Sequence, residues 1–142
     1  MNNTEFLLRK IDKKDIPFVI DLLQSISKFK PREDDYLKIW EEFSKQHNVH
    51  SIVALINKKV VGYGSIVIET KIRGGRMGHV EDIVCGEDYK NKGIGRAIVN
   101  HLFDIAKINN CYKVSIQCKE HNILFYEKCD YIKSGVAMQR LI

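Results

Sequence analysis

A chain of 142 residues, 44% apolar and 29% charged, has the length and balance of one globular domain with a proper core. No apolar run approaches the ~20 residues that a membrane-crossing helix needs, and the start Met1-Asn2-Asn3-Thr4-Glu5 lacks the basic-then-apolar layout of a secretory signal, so cytoplasmic residence is the default expectation. The formal net charge of +5 favours an anionic partner (nucleic acid, anionic lipid or a phosphorylated small molecule), although a silent basic surface is the simpler reading of charge alone. Cys85, Cys111, Cys118 and Cys129 show no C-x-x-C spacing and no Cys/His pair has the spacing of a structural zinc site, so buried thiols and no metal are expected.

In chain order, Phe6 to Ile11 reads as a first strand. Asp12 or Asp15 can cap the helix that follows, whose apolar face is Ile16, Val19, Ile20, Leu23 and Ile26, with Pro17 tolerated only near the start. A connector holds Pro31, and a second helix runs from Glu33 with Tyr36, Leu37, Trp40 and Phe43 on one side. Two strands in hairpin relation, Ser51–Ile56 and Val60–Ile68, flank a turn at Asn57-Lys58-Lys59; Gly62 and Gly64 in the second mark a bulge or a close backbone approach. A glycine- and arginine-rich loop, Lys71 to Gly78, leads to a buried strand at His79–Cys85. A helix with Ile94, Ala97, Ile98, Leu102, Ile105 and Ala106 inward ends at Asn109-Asn110. Another strand covers Tyr112–Cys118, Asn122 can cap a short helix through Lys128, and Tyr131 to Leu141 closes the chain as extended structure. The order predicts one mixed α/β domain over residues 1–142. Its sheet is largely antiparallel, with one parallel pair, His79–Cys85 beside Tyr112–Cys118, where a helix connects strand to strand.

The chemistry concentrates between Gly78 and Arg96. A strand runs into the glycine-bearing basic loop Lys90-Asn91-Lys92-Gly93-Ile94-Gly95 and then into a helix start at Arg96. Backbone N–H groups and partial positive charge gather at such a start, and glycines let a ligand approach, so the segment predicts an anion pocket. A lone G-x-G is weak on its own, since many helices begin after a glycine. Glu81 and Asp82 are adjacent on the strand, so they are expected to face opposite sides of the sheet. His79 nearby reads as a neutral, hydrogen-bonded strand histidine.

The element order and this loop resemble the GNAT superfamily of acetyl-CoA-dependent N-acetyltransferases, whose loop reads Arg/Gln-x-x-Gly-x-Gly/Ala and holds the pyrophosphate of coenzyme A. Gly78-His79-Val80-Glu81-Asp82-Ile83, Cys111-Tyr112-Lys113, Asn122 to Cys129 and Gly135 to Met138 resemble the branch of that superfamily that acetylates glucosamine 6-phosphate. The resemblance implies a GNAT fold, acetyl-CoA as cosubstrate, a step towards UDP-N-acetylglucosamine in amino sugar metabolism, and a homodimer with an acceptor site near the subunit interface. It implies acetyl-CoA contacts from Ile83, Val84, Cys85, Lys90, Asn91, Lys92, Gly93, Ile94, Gly95, Arg96, Asn122 and Tyr126. For the sugar phosphate it implies Ser25, Lys71, Glu81, Asp82, Tyr112, Lys113 and Arg140, with Arg73 and Arg76 as further cations. Tyr126, Gln117 and Asp82 are the implied catalytic residues: Tyr126 as general acid to the thiolate, Gln117 through its backbone carbonyl toward the amine, and the amide of Ile83 or Val84 at the oxyanion. A phenol with a reference pKa near 10 suits the acid role, while a half-buried tyrosine filling space beside Phe125 is the structural alternative. Three positions depart from the pattern: Lys90 stands for Arg or Gln, Gln117 for an acid, and Asp130 for a glycine.

Two other functions fit the same residues less closely. One is a GNAT enzyme acting on another small-molecule or protein amine. The other is a basic nucleic-acid-binding module, which would need an aromatic platform or basic recognition helix that this sequence lacks, so no nucleic-acid partner is expected.

Overall fold

The protein, described from a computed structural model, is defined over residues 5–142; the reading of the first four residues lies outside the described part. Strand β1 (Leu7–Lys10) is followed by helices α1 (Ile16–Leu23) and α2 (Tyr36–Ser44), then by β2 (Val49–Ile56), β3 (Lys59–Thr70) and β4 (Arg76–Cys85). Helix α3 (Ile94–Ile108) connects β4 to β5 (Cys111–Ile116), and α4 (Ile123–Glu127) follows. The sheet order is β1-β2-β3-β4-β5; the first three pairings are antiparallel and β4–β5 is parallel. The expected mixed α/β class with one helix-connected parallel pair is the observed one.

Both faces of the sheet are covered, which is why the strands read as near-continuous apolar runs. Along β2, Ile52 and Ala54 face α3, where Ile94, Ile98, Leu102 and Ala106 meet them, while Val53 and Leu55 face Ile16, Val19 and Ile20 of α1. Ile98 and Leu102 are fully excluded from water, each a gain of about 1.5–3 kcal/mol over an exposed position. Helix α1 is tied to β1 by a two-pronged ion pair, Arg9 to Asp15 at 2.6 and 2.8 Å. Burial alone would raise the Asp15 pKa, but the Arg9 hydrogen bonds and the Asp12 N–H overcome it and hold the carboxyl below its ordinary 3.8. Asp12 caps the short turn before α1, in a capping box with Asp15.

The β2–β3 hairpin turns on two residues, Asn57 and Lys58, both at positive φ (49° and 66°), so Lys59 already belongs to β3. This is the turn whose twist matches that of paired strands. Two bulges then bend the sheet. In β3 the register against β2 slips between Ala54 and Leu55, leaving Val61 unmatched. In β4, Glu81 opposes Ser65 and Val84 opposes Tyr63, so Asp82 and Ile83 together face Gly64. Asp82 takes φ 55°, the left-handed conformation of the bulged residue. A Cβ on Gly64 would lie 2.5 Å from Ile98 and 2.7 Å from Ile83, so only glycine fits opposite the bulge.

Several expectations are corrected. Strand β4 begins at Arg76, within the expected loop, and β5 ends at Ile116 rather than Cys118 because its pairing with β4 stops at Val80. The bulge shifts the phase of β4, so Val80 and Ile83, three apart, both pack toward α3; Glu81 and Asp82 between them are both exposed. Asn122 stands at the N-cap position of α4, as expected, but, ending a 3-10 turn at φ −100°, ψ −2°, it makes no side-chain cap bond. Tyr131 to Leu141 forms no strand within the described residues, and Ile132, Val136, Met138 and Leu141 are exposed.

Gly64→Ala is expected to lower stability by about 1–3 kcal/mol, the cost of overpacking a filled site, read as a shifted urea midpoint with an unchanged slope. An unaltered midpoint would mean the β3–β4 bulge tolerates a side chain.

Candidate active site

The divergence of β4 from β5 creates the site. Beyond Val80, Glu81–Cys85 keep β3 on one side, but among the described residues no strand pairs them on the other. The Gly86 N–H donates to the Val61 carbonyl of β3 at 2.8 Å. Amides alternate along an extended strand, so the Val84 N–H also points to β3, whereas those of Ile83 and Cys85 turn toward the gap. Of the two expected oxyanion donors, Ile83 is the one whose direction suits the task.

At the carboxyl end of β4, a 3-10 turn (Glu87–Tyr89) leads into the basic loop. Asn91 and Gly93 both adopt positive φ, 63° and 80°, and Gly93 is the N-cap of α3 without a side-chain cap bond. The first ladder bond of α3 runs from the Ala97 N–H to the Gly93 carbonyl at 3.0 Å, so the amides of Ile94, Gly95 and Arg96 lie in the open first turn. A Cβ added to Gly93 would meet nothing within 4 Å: the space above the loop is open. Gly95 also has a packing role, since its Cβ would meet the Phe125 ring at 3.3 Å. Its missing side chain lets α4 close on α3. Lys90 lies 2.8 Å from Glu87, an exposed pair whose hydrogen bond raises the lysine pKa; such a pair opens at little cost. Open helix start, left-handed residues and flanking cations fit a pyrophosphate.

On the far wall of the gap, Gln117 and Cys118 extend past the end of β5, and Tyr126 faces them from α4. Val80, Glu81, Ile116, Gln117, Cys118 and Tyr126 line one cleft of about 990 Å³. Tyr126 is 9% exposed and packs edge-on against Phe125, ring centroids 4.9 Å apart. Burial, with smaller contributions from Cys118, Cys129 and Tyr131, pushes its pKa up to about 12, so the hydroxyl keeps its proton throughout the neutral range.

The remaining expected residues divide between two places. Ser25 follows α1 and donates to the Leu22 carbonyl at 3.0 Å; the Leu22 side chain reaches toward Gly86, beyond the end of β4. Lys71, Tyr112 and Lys113 sit at the other end of β4. Lys71 is 2.9 Å from Glu69, which also meets His79 at 2.9 Å. Lys113 is in register with Met77, five residues before Asp82, a separation of about 16 Å along a strand. Arg76 donates to the Asn109 carbonyl at 3.4 Å, and Arg140 lies on the exposed tail. Lys113 nevertheless lines the same cleft as Glu81, Gln117 and Tyr126, whereas Lys71 and Tyr112 are not part of its lining. Sequence reasoning missed the buried hydroxyl group Ser51, Tyr63 and Ser65, joined at 3.1 and 2.9 Å beneath the bulge. Burial raises the Tyr63 pKa above its usual 10.0, against the serine hydrogen bonds, and the Asp82 charge adds to the rise.

The sequence profile described as the acetyltransferase (GNAT) family matches residues 16–131. The chain belongs to the acetyltransferase (GNAT) family, whose members take their acetyl group from acetyl-CoA. It is 32% identical over 123 residues to glucosamine 6-phosphate N-acetyltransferase 1 of Dictyostelium discoideum, covering 83% of this chain and 78% of that one. It is 32% identical over 110 residues to glucosamine 6-phosphate N-acetyltransferase of Candida albicans, covering 75% and 74%. The crystal structure of glucosamine-6-phosphate N-acetyltransferase from Arabidopsis thaliana superposes with a TM-score of 0.87 at 29% identity, over 96% of this chain and 98% of that one.

Gly93→Ala is expected to cost about 1–2 kcal/mol, the penalty of a left-handed non-glycine residue, because φ rather than space is the constraint. Urea denaturation checks this; a loss far beyond that range would point to a clash the open loop does not predict.

Proposed function

We propose that the protein transfers an acetyl group from acetyl-CoA to the amine of glucosamine 6-phosphate. The observation that carries this reading is the cleft that Glu81 of β4, Gln117 and the protonated Tyr126 share, with the uncapped start of α3 following β4 in the chain. The names of relatives more than 30% identical over most of the chain support the acceptor. Gly93, Ile94, Gly95 and Arg96 would hold the pyrophosphate of coenzyme A, helped by Lys90 and Lys92, with Asn91 shaping the loop; Ile83, Val84, Cys85 and Asn122 would border the thioester arm. When bound, acetyl-CoA supplies an acyl carbon activated as a thioester.

The chain's own groups do the rest. The Ile83 amide stabilises charge on the carbonyl oxygen, a fixed donor that needs no reorganisation. The Gln117 carbonyl, just beyond β5, orients the amine, which must be neutral to attack. Glu81 and Asp82, set on the bulge, hydrogen-bond the sugar hydroxyls with Ser25. Tyr126 Oη holds its proton until the sulfur departs and then donates it. Holding the two reactants in line accounts for much of the acceleration.

Of the implied phosphate contacts, Lys113 lines the cleft of its own protomer, whereas Lys71, Tyr112 and Arg140 lie outside that lining. We therefore propose a homodimer in which Lys71, Tyr112 and Arg140 serve the site of the second copy. The open edge of β5 and the exposed apolar tail beside it support that arrangement.

The test is release of free coenzyme A with glucosamine 6-phosphate against unphosphorylated glucosamine. The reading expects strong preference for the phosphorylated sugar and a loss of about a hundredfold or more in kcat for Tyr126→Phe, within the range of general-acid contributions. Equal rates with both sugars would overturn the acceptor, and an unchanged kcat would remove Tyr126 from the reaction.

A further inference from the structure

Tyr131 follows α4 and stands directly beside Tyr126. Its backbone N–H donates to the Tyr126 carbonyl at 3.0 Å, and the two rings meet edge-on with centroids 5.9 Å apart. Val99 of α3 and Cys129 complete the same small cluster, with Ile83 and Ile116 against it. Among the described residues, the Tyr131 hydroxyl is the one buried side-chain oxygen or nitrogen without a hydrogen-bond partner. Buried hydroxyls are normally paired, and leaving one unpaired is destabilising. A tyrosine retained here rather than a phenylalanine therefore asks what its oxygen meets at another stage of the protein's cycle.

The neighbour that changes charge is Tyr126. On the reading above, the Tyr126 O–H bond breaks as an S–H bond forms on the departing thiol, and a phenolate is left in the cleft wall. The proton released by the acceptor amine passes to solvent, and solvent later restores the one Tyr126 has lost. In the interval the phenolate is desolvated, and the acids around it are Tyr131 and the thiols of Cys118 and Cys129. Thiols are weak donors; a phenol is a good one.

We propose that Tyr131 is a positioning residue for Tyr126: the Tyr131 ring, whose hydroxyl is unpaired at rest, shifts to bring that hydroxyl onto the Tyr126 oxygen as a hydrogen-bond donor once that oxygen has lost its proton. The inference rests on Tyr126 acting as the acid. The bond exists only with the charged oxygen, so it stabilises the transition state and not the bound ground state. High pKa values on both phenols, each pushed up to about 12 by burial, agree with a pair that stays neutral until the reaction charges one member.

The experiment compares Tyr131→Phe, Tyr126→Phe and the double variant, with steady-state rates, coenzyme A affinity by calorimetry and thermal unfolding of the free protein. Tyr131→Phe should lower kcat about tenfold to a hundredfold, the size of a hydrogen bond to a charged group, with KM and coenzyme A affinity unchanged. The free variant should unfold at the same temperature as the parent or higher, because an unpaired hydroxyl has been removed. In the Tyr126→Phe background, the same substitution should change nothing further. An unchanged kcat in Tyr131→Phe, an equal loss in the Tyr126→Phe background, or a lower unfolding temperature with weaker coenzyme A binding would each overturn the proposal while leaving Tyr126 as the acid. An unaltered kcat for Tyr126→Phe would overturn both.

Discussion

The parting of β4 from β5 after Val80 is the constraint on which the site depends. A parallel pair that continued to Cys85 and Cys118 would close its ladder with backbone hydrogen bonds and leave no amide for a ligand. The bulge at Asp82 keeps it open. Two residues of β4 oppose Gly64, the strand turns, and its amides face a gap instead of a neighbour. The bulge in turn rests on packing far from the chemistry: Ile83 and Ile98 fill the space a side chain on residue 64 would need. Core packing on the α3 face and the reactive face of β4 are thus one structural decision.

Around that gap, each wall comes from a different part of the chain. β4 supplies Glu81, the end of β5 supplies Gln117 and Cys118, and α4 supplies a phenol kept protonated by burial, while the loop before α3 carries open backbone donors and positive charge. Gly95 links two of these walls, because its missing side chain lets Phe125 seat α4 on α3 and so fixes Tyr126 over the cleft. A glycine that looks like part of the anion loop thereby sets the position of the proposed acid.

Much of this was legible in the sequence where local rules govern. Asn57-Lys58 marked the hairpin, the 3.6-residue period of Ile94, Ile98 and Leu102 marked α3, and the helix between two strands implied a parallel pair. What escaped were features decided by neighbours distant in sequence. A strict ladder from the hairpin turn would set Ser51 against Gly64; the extra residue at Val61 moves it to Ser65 and builds the buried hydroxyl group. The bulge at Asp82 likewise shifts the phase of β4, so that Val80 and Ile83, three apart, both pack toward α3. The tail's apolar residues read as a strand, yet a strand needs a ladder partner, and among the described residues the tail has none. Tyr112-Lys113 matched the family pattern as residues, but only the register of β4 and β5 reveals how far along the sheet Lys113 lies from Asp82.

On the proposed reading, the gap beside Glu81–Cys85 and the loop before α3 receive one ligand together. Titrating coenzyme A into isotopically labelled protein and following backbone amide resonances tests it most directly. The largest shifts should fall on Ile83, Cys85, Gly93, Ile94 and Gly95, with saturation at a common affinity. Binding that leaves the β4 amides unmoved, or that shifts the loop and the strand with different affinities, would contradict it.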